Sequence, residues 1–394
     1  MRRFSLALVL ACIGYTAQAP LASAEVPCGG DFASFVQGLE AEAVAQGHDP
    51  AVTARFFDGV LLEQKVLAAD RRQGVFQMDF TSFARRLISN DRLSKGRQMA
   101  SRYAQIFDRI EEEFGVSRGV LLAFWAFETD YGGFQGDFNT LNALVTLAHD
   151  CRRPELFRPQ IFSALSLYEH GDFDPDTTTG AWAGEIGQVQ MLPRDILENG
   201  VDGDGDGHVR LKTSAPDALM SGAKMLQSLG WHAGEPWLQE VTVPGDLDFS
   251  ITGTQDKRPS SEWAQMGVRP REGALADLPA SLILPQGKGG PAFLAYPNFH
   301  VYFEWNQSFT YVLTAAYFAT RLEGAPVFDA GTPVPGLSGE QMKDLQSKLA
   351  ARGYDVGGID GILGVGTRAA VRDMQGKLGM PVDGWPTVEL LSKL

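Results

Sequence analysis

Residues 121–127, LLAFWAF, leave this chain few options. A run of seven apolar residues, with Leu121, Phe124 and Trp125 at helical spacing, predicts a helix buried on every side. The rest of the fold must therefore wrap around it. Glu128 closes the run, and Gly132-Gly133 breaks it, so this carboxylate falls near a helix C-terminus that opens into a loop. Aromatic neighbours would desolvate it, and the negative end of the helix dipole would disfavour its charge. Both effects raise its pKa, as a general acid working near neutral pH requires. The competing reading is a glutamate that simply points into solvent at a helix end.

The N-terminus carries a different signal. Arg2-Arg3 precede an apolar run from Phe4 to Ile13, and Ala22-Ser23-Ala24 forms a small-x-small site before Glu25. Residues 1–24 read as a secretory signal peptide cleaved after Ala24. The run is too short for a permanent span, and no later stretch reaches the required length, so no transmembrane segment is expected. Cys12 as a lipoprotein cysteine ranks second, because the apolar region before it would be very short. Cleavage removes two arginines and no acid, so the formal charge moves from −14 to −16. Such a chain is a poor partner for nucleic acid or an anionic membrane surface. Cys28 and Cys151 remain, and an even pair in an exported protein reads as a disulfide.

At 394 residues the chain has room for more than one domain. Residues 31–119 are patterned as helices, among them one opened by Asp49-Pro50 and one running from about 91 to 114 with a solvated basic face. Further helical stretches cover 140–147, 159–169, 218–229 and 307–322. Between them VTVP, FSIT, SLILP and AFLAYP read as short β runs separated by glycine and proline. Residues 328–336, FDAGTPVPG, form a linker, and 337–394 a compact terminal unit. In that unit Asp360-Gly361 and Asp383-Gly384 each precede a threonine able to cap the next helix.

Three constellations could carry chemistry. Asp202, Asp204 and Asp206 alternate before Gly207, as in a calcium loop, with the His208 carbonyl at the seventh position. The twelfth position is Thr213, so Asp217 would have to close a longer loop. One structural Ca2+ is expected, because three alternating aspartates repel one another without a cation. The turn GEIGQVQMLP (184–193) offers the amides of Gln188 and Gln190, suited to sugar hydroxyls and N-acetyl groups. WNQSFTY (305–311) mixes an aromatic platform with amide and hydroxyl groups.

The order FETDYG, AHDCRRPELF, AGEIGQVQMLP, VDGDGDGH, YPNF and WNQSFTY resembles the lytic murein transglycosylases of the MltB type across residues 28–325. The unit from Leu337, with its LQ–L–RGY–DG–T–AV–Q pattern, resembles the small three-helix peptidoglycan-binding domain. The fold class so implied is mainly α: a lysozyme-like α+β catalytic domain with a small β element (25–327), the linker 328–336, and a three-helix domain (337–394). The resemblance makes Glu128 the sole catalytic acid and base. It gives Gln190 a role in orienting substrate, lines the cleft with Asn306 and Tyr311, and implies no organic cofactor; Tyr131 and Gln188 are expected to contact substrate as well. Peptidoglycan glycan strands are the implied partner and the periplasm the implied location. This chain departs from the pattern at Ala181 (often serine), Glu185 (a small residue), Trp305 (often tyrosine), Val365 (proline) and Met374 (phenylalanine). Two alternatives share these residues, namely a lysozyme-like hydrolase and a non-catalytic peptidoglycan-binding scaffold.

Overall fold

Helices account for about half of this computed structural model, which describes residues 25–71 and 78–394. The expected signal peptide and Cys12 lie outside the described residues. Helices α1 (Phe32–Ala45), α2 (Pro50–Phe57), α3 (Gln64–Asp70), α4 (Phe80–Leu87), α5 (Asn90–Arg102) and α6 (Ala104–Phe114) lead to α7 (Arg118–Thr129). Strand β1 (Phe138–Asn139), α8 (Thr140–His149), α9 (Pro154–His170) and β2 (Thr179–Gly180) follow. Then come α10 (Pro193–Asn199), α11 (Ala215–Ser228), β3 (Leu238–Thr242), β4 (Lys257–Pro259), α12 (Ser260–Gln265), β5 (Arg269–Pro270), β6 (Pro279–Ile283) and β7 (Phe293–Ala295). Helices α13 (Pro297–Trp305) and α14 (Phe309–Leu322) complete the large unit, and α15 (Gly339–Ala350), α16 (Val365–Lys377) and α17 (Val388–Ser392) form the C-terminal one.

The apolar run behaves as its composition demands. Every residue of α7 from Gly119 to Trp125 is buried, and Ser117 caps its start. Helix α14 lies directly against it. Phe127 stacks on Phe318 of α14 at 5.1 Å, and Phe124 on Trp305, at the end of α13, at 4.3 Å. Gly119 permits this approach, since a Cβ there would stand 2.8 Å from the Ala319 carbonyl oxygen.

Strands β3 to β7 assemble into one antiparallel sheet of order β4-β6-β7-β3-β5. One face joins the helical core through Phe293, which packs with Phe80, Tyr317 and Phe328. The other holds a core of its own around Trp263, Leu282, Leu294 and Tyr296. The sheet is fastened to α14 by Trp237, whose indole N–H donates to the Ala316 carbonyl at 2.9 Å.

Several expectations change. The single helix of 91–114 is two, broken at Tyr103 (φ −109°, ψ 28°), where the ring turns in to pack on Trp125 at 5.6 Å. FSIT is not a strand but a 3-10 turn, Phe249–Ile251, because the Asp248 carboxylate accepts from the Ser250 amide and curls the chain. Thr387 caps α17, but Thr367 sits inside α16, buried, with its hydroxyl donating to the Val356 carbonyl. The 328–336 stretch does not hang free. Phe328 is buried in the helical core, the Thr332 amide donates to Gly289, and the Trp385 indole donates to Val334. No helix among the described residues is long and apolar enough to cross a membrane.

Candidate active site

Glu128 is the penultimate residue of α7, and the turn after it is unusual. Asp130 (φ 51°), Tyr131 (φ 61°) and Gly132 (φ 79°) are left-handed in succession. For the two non-glycine residues this conformation costs about 1–3 kcal/mol each, so the surroundings must enforce it. They do so from three sides. Arg92 and Lys95 bind the Asp130 carboxylate at 3.2 and 3.0 Å, and the Tyr131 hydroxyl donates to the Arg92 carbonyl at 2.9 Å. The Thr129 hydroxyl donates to the Gln188 carbonyl at 2.6 Å. A Cβ at Gly132 would stand 2.6 Å from the Gln188 side-chain oxygen. The basic residues of α5, read from sequence as a solvated face, are here partly turned inward to hold the end of α7.

Two donors converge on one oxygen of Glu128. The Tyr311 hydroxyl lies 2.5 Å from Oε1, and the Trp305 indole N–H donates to it at 3.1 Å. No described residue donates to Oε2. Burial pushes the Glu128 carboxyl up to about 7, against the pull of Tyr311 and Trp305, and the Glu185 charge pushes in the same direction as burial. Burial, with Glu128 close by, lifts the Tyr311 phenol well above its ordinary range, so it acts as a donor and never as a base. Asp130 goes the other way: burial would raise it, but Lys95 and Arg92 outweigh burial and keep it ionised.

The remaining site residues divide. Asn306 follows α13, and its side-chain oxygen accepts from the Ser308 amide at 2.9 Å, which leaves the amide nitrogen without a described partner. Gln190 sits at φ 55° on the hairpin turn, its amide nitrogen donating to the Gly187 carbonyl at 2.8 Å. Tyr131 is buried beneath α5, with its hydroxyl used up on the Arg92 carbonyl. Gln188 is mostly buried and its side-chain oxygen accepts from the Trp125 indole at 3.1 Å, while its amide nitrogen has no partner among the described residues. Both hold the α7 turn. Sequence reasoning also missed that Trp305 donates to Glu128, although its departure from tyrosine marked the position. Glu185, another departure, is a half-buried carboxylate whose Oε2 finds no hydrogen-bond partner among the described residues.

The aspartate loop is only partly as expected. Carboxylate oxygens of Asp202, Asp204 and Asp217 lie within 4.8 Å of one another. Asp206 instead pairs with Arg210 at 3.0 Å, and the His208 ring binds Asp172 at 2.8 Å, so neither side chain joins the cluster. Asp217, buried at the start of α11, accepts from the Gly203 and Asp204 amides, which folds the loop around it. The loop's exit supports the hairpin through the Gln188 amide, which donates to the Leu211 carbonyl at 3.0 Å. Cys28 and Cys151 form the expected disulfide, their Cα atoms 5.2 Å apart.

Comparison with known proteins gives this geometry a context. The Transglycosylase SLT domain model matches residues 31–320, and a peptidoglycan binding domain model matches 338–394. Membrane-bound lytic murein transglycosylase B of Escherichia coli K12 is 27% identical over 233 residues, 59% of this chain and 64% of that relative. The chain thus spans under two thirds of that curated relative's length. The crystal structure of Pseudomonas aeruginosa SltB3 in complex with NAG-anhNAM-pentapeptide superimposes with a TM-score of 0.84 at 35% identity, covering 93% of this chain and 99% of that one. Escherichia coli Slt35 in complex with calcium gives a TM-score of 0.65 at 25% identity, covering 75% and 95%.

Proposed function

This chain belongs to the Transglycosylase SLT domain family, and from that premise we propose that it is a lytic transglycosylase that cuts the MurNAc-GlcNAc β-1,4 bond of peptidoglycan. The observation that carries the reading is Glu128 itself. Its Oε1 is held by Tyr311 and Trp305, and its carboxyl is pushed to about 7 at the end of a buried helix. The two donors favour negative charge on Oε1, so the transferable proton belongs on Oε2. Protonated Glu128 gives that proton to the glycosidic oxygen as the bond to the muramic acid breaks. The substrate's acetamido group stabilises the cationic carbon, taking the place of the second carboxylate that glycosidases usually carry. Glu128, now ionised, takes the proton of the carbon-6 hydroxyl of the same sugar. That oxygen closes a 1,6-anhydro ring, and no water is consumed. Asn306 and Gln190 are the amides that would orient the strand. Residues 25–327 would form the catalytic domain and 337–394 the wall-binding one, working in the periplasm after export.

The pH dependence follows from the proton. Glu128 must enter the reaction protonated, so kcat/KM is expected to be flat below pH 7 and to fall about tenfold per pH unit above it. Tyr311→Phe removes a hydrogen bond that lowers the Glu128 pKa. It should therefore move the falling limb to higher pH, while lowering kcat because the carboxylate formed in the first step loses a donor. A limb that stayed put in Y311F would contradict the arrangement.

A lysozyme-like hydrolase is the nearest alternative, and Glu185 is the carboxylate it would call on. Mass spectrometry of digested sacculi separates the two. The expected muropeptides are lighter by one water than hydrolase products, and full-mass products would overturn the lyase assignment.

Asp202, Asp204 and Asp217 present hard oxygen donors in a closed group, which fits a Ca2+ ion. These three side chains would hold it, and it would supply charge neutralisation to the loop that braces the Gln188 hairpin. Calcium at about a hundred times its Kd should stabilise the fold by about 2.7 kcal/mol. That appears as a rise in Tm that chelator reverses and D217N abolishes. A Tm indifferent to both would remove the ion from the account.

A further inference from the structure

The contact between the C-terminal unit and the large one falls on an element the reaction uses. The Arg368 guanidinium of α16 lies 4.9 Å over the Phe309 ring and 5.9 Å from Trp385, and it donates to the Pro285 carbonyl at 2.8 Å. A second N–H reaches the Gly384 carbonyl at 3.5 Å, and its Nε is buried with no acceptor among the described residues, so the group is held by the two rings as well as by hydrogen bonds. Phe309 is the first residue of α14. Phe309 and Thr310 line a cavity of about 350 Å3 shared with Leu337, Met342 and Trp385, whereas Tyr311, next in sequence, reaches Glu128. The seven residues 305–311 thus supply both donors to Glu128 at one side and receive the C-terminal unit at the other. Nothing in the residue pattern of a separate binding module requires such a contact.

We propose that Arg368 is a positioning residue for Glu128, acting through Phe309 to fix the start of α14 and with it the Tyr311 hydroxyl. The wall-binding unit is then part of the active site's support as well as a substrate anchor. This rests on the reading of Glu128 as the acid. The second seam contact is independent of α14: Arg372 donates to the Thr252 hydroxyl at 3.2 Å and to the Ser250 carbonyl at 2.7 Å. The titratable groups acting on Glu128 are Tyr311 of α14 and Glu185 of the hairpin. The charged neighbours of Arg368 are Asp383 and Arg372, and although burial brings its guanidinium down to about 10, it stays cationic at neutral pH.

The test uses the full chain and a soluble GlcNAc-MurNAc tetrasaccharide, too short to need a second anchoring site. R368A is expected to lower kcat about tenfold with KM within twofold of wild type. It should also move the falling pH limb upward, as Y311F does. F309L, which keeps the apolar volume but loses the stacked ring, should do the same, and the double variant should add nothing further. R372A should leave kcat and the limb unchanged. The proposal is overturned if either R368A or F309L, folded by circular dichroism, keeps the wild-type kcat and pH limb, or if R372A matches R368A. Should R368A fail to fold, F309L alone decides. E128Q runs alongside: activity in E128Q would sink the acid assignment, whereas an inactive E128Q with a normal R368A and F309L would sink only the role of Arg368.

Discussion

Glu128→Gln is expected to cleave glycan at least about 10³-fold more slowly than wild type while binding sacculi equally well. Glutamine keeps the shape and still accepts from Tyr311 and Trp305 through its side-chain oxygen, so the cleft should be preserved. It cannot supply a proton, and it cannot take one back. In the proposed reaction one group serves both steps, so both would be lost together, which puts the expected effect toward the upper end of general acid–base contributions. A stability measurement guards against misfolding as the explanation. The native carboxyl titrates near 7, above the unfolded value of 4.5, so the folded state holds its proton more tightly. The stability this contributes is fully present below about pH 4.5 and is lost as pH rises through 7. Its full size would be about 3 kcal/mol, and partial solvent access reduces that to about 1–2 kcal/mol. E128Q should therefore be more stable than wild type at pH 8, by an amount that shrinks toward pH 5. A variant that is inactive and also less stable at pH 8 would point to collapse of the site. Retained cleavage would end the assignment.

The same site shows what a sequence can and cannot carry. The burial of α7 and the placement of Glu128 at its end were legible because they depend on neighbours along one helix. The companions of Glu128 were legible only as members of a motif. Trp305 and Tyr311 lie 177 and 183 residues away, and their convergence on Oε1 is a tertiary fact. Tyr131 shows the cost of reading polarity as exposure. Its hydroxyl looks available to substrate, yet a buried helix end with left-handed residues needs internal donors and acceptors, and Tyr131 supplies one, as does the side-chain oxygen of Gln188. In the aspartate loop the alternation is legible, but Asp206 is taken by Arg210, four residues on in the same loop, and Asp217 closes the group instead. The Pro/Gly-rich stretch 328–336 was read as a tether from composition. Phe328 in the helical core, with the backbone contacts at Thr332 and Val334, pins it, and none of these is visible in composition.

Removing the disulfide in C28S/C151S is expected to lower the unfolding free energy by about 3–5 kcal/mol without changing activity per folded molecule. The bridge spans 123 residues, and chain entropy alone gives a cross-link of that reach close to 5 kcal/mol. The native state does not depend on it for geometry. The Gly29 amide donates to the His149 carbonyl at 2.9 Å, and Arg158, buried, donates to the Val26 carbonyl at 2.9 Å and pairs with Glu42 and Glu25. These contacts hold the N-terminal segment against α8 and α9 at the same place, so the bond acts mainly by restricting the unfolded chain. They also mean that the variant should refold to the same structure, with denaturant midpoint lowered and circular dichroism unchanged. An oxidising compartment would supply this stabilisation, in keeping with the proposed work outside the cytoplasm. If C28S/C151S lost activity at unchanged stability, the bridge would be shaping the site, and the entropic account would be wrong.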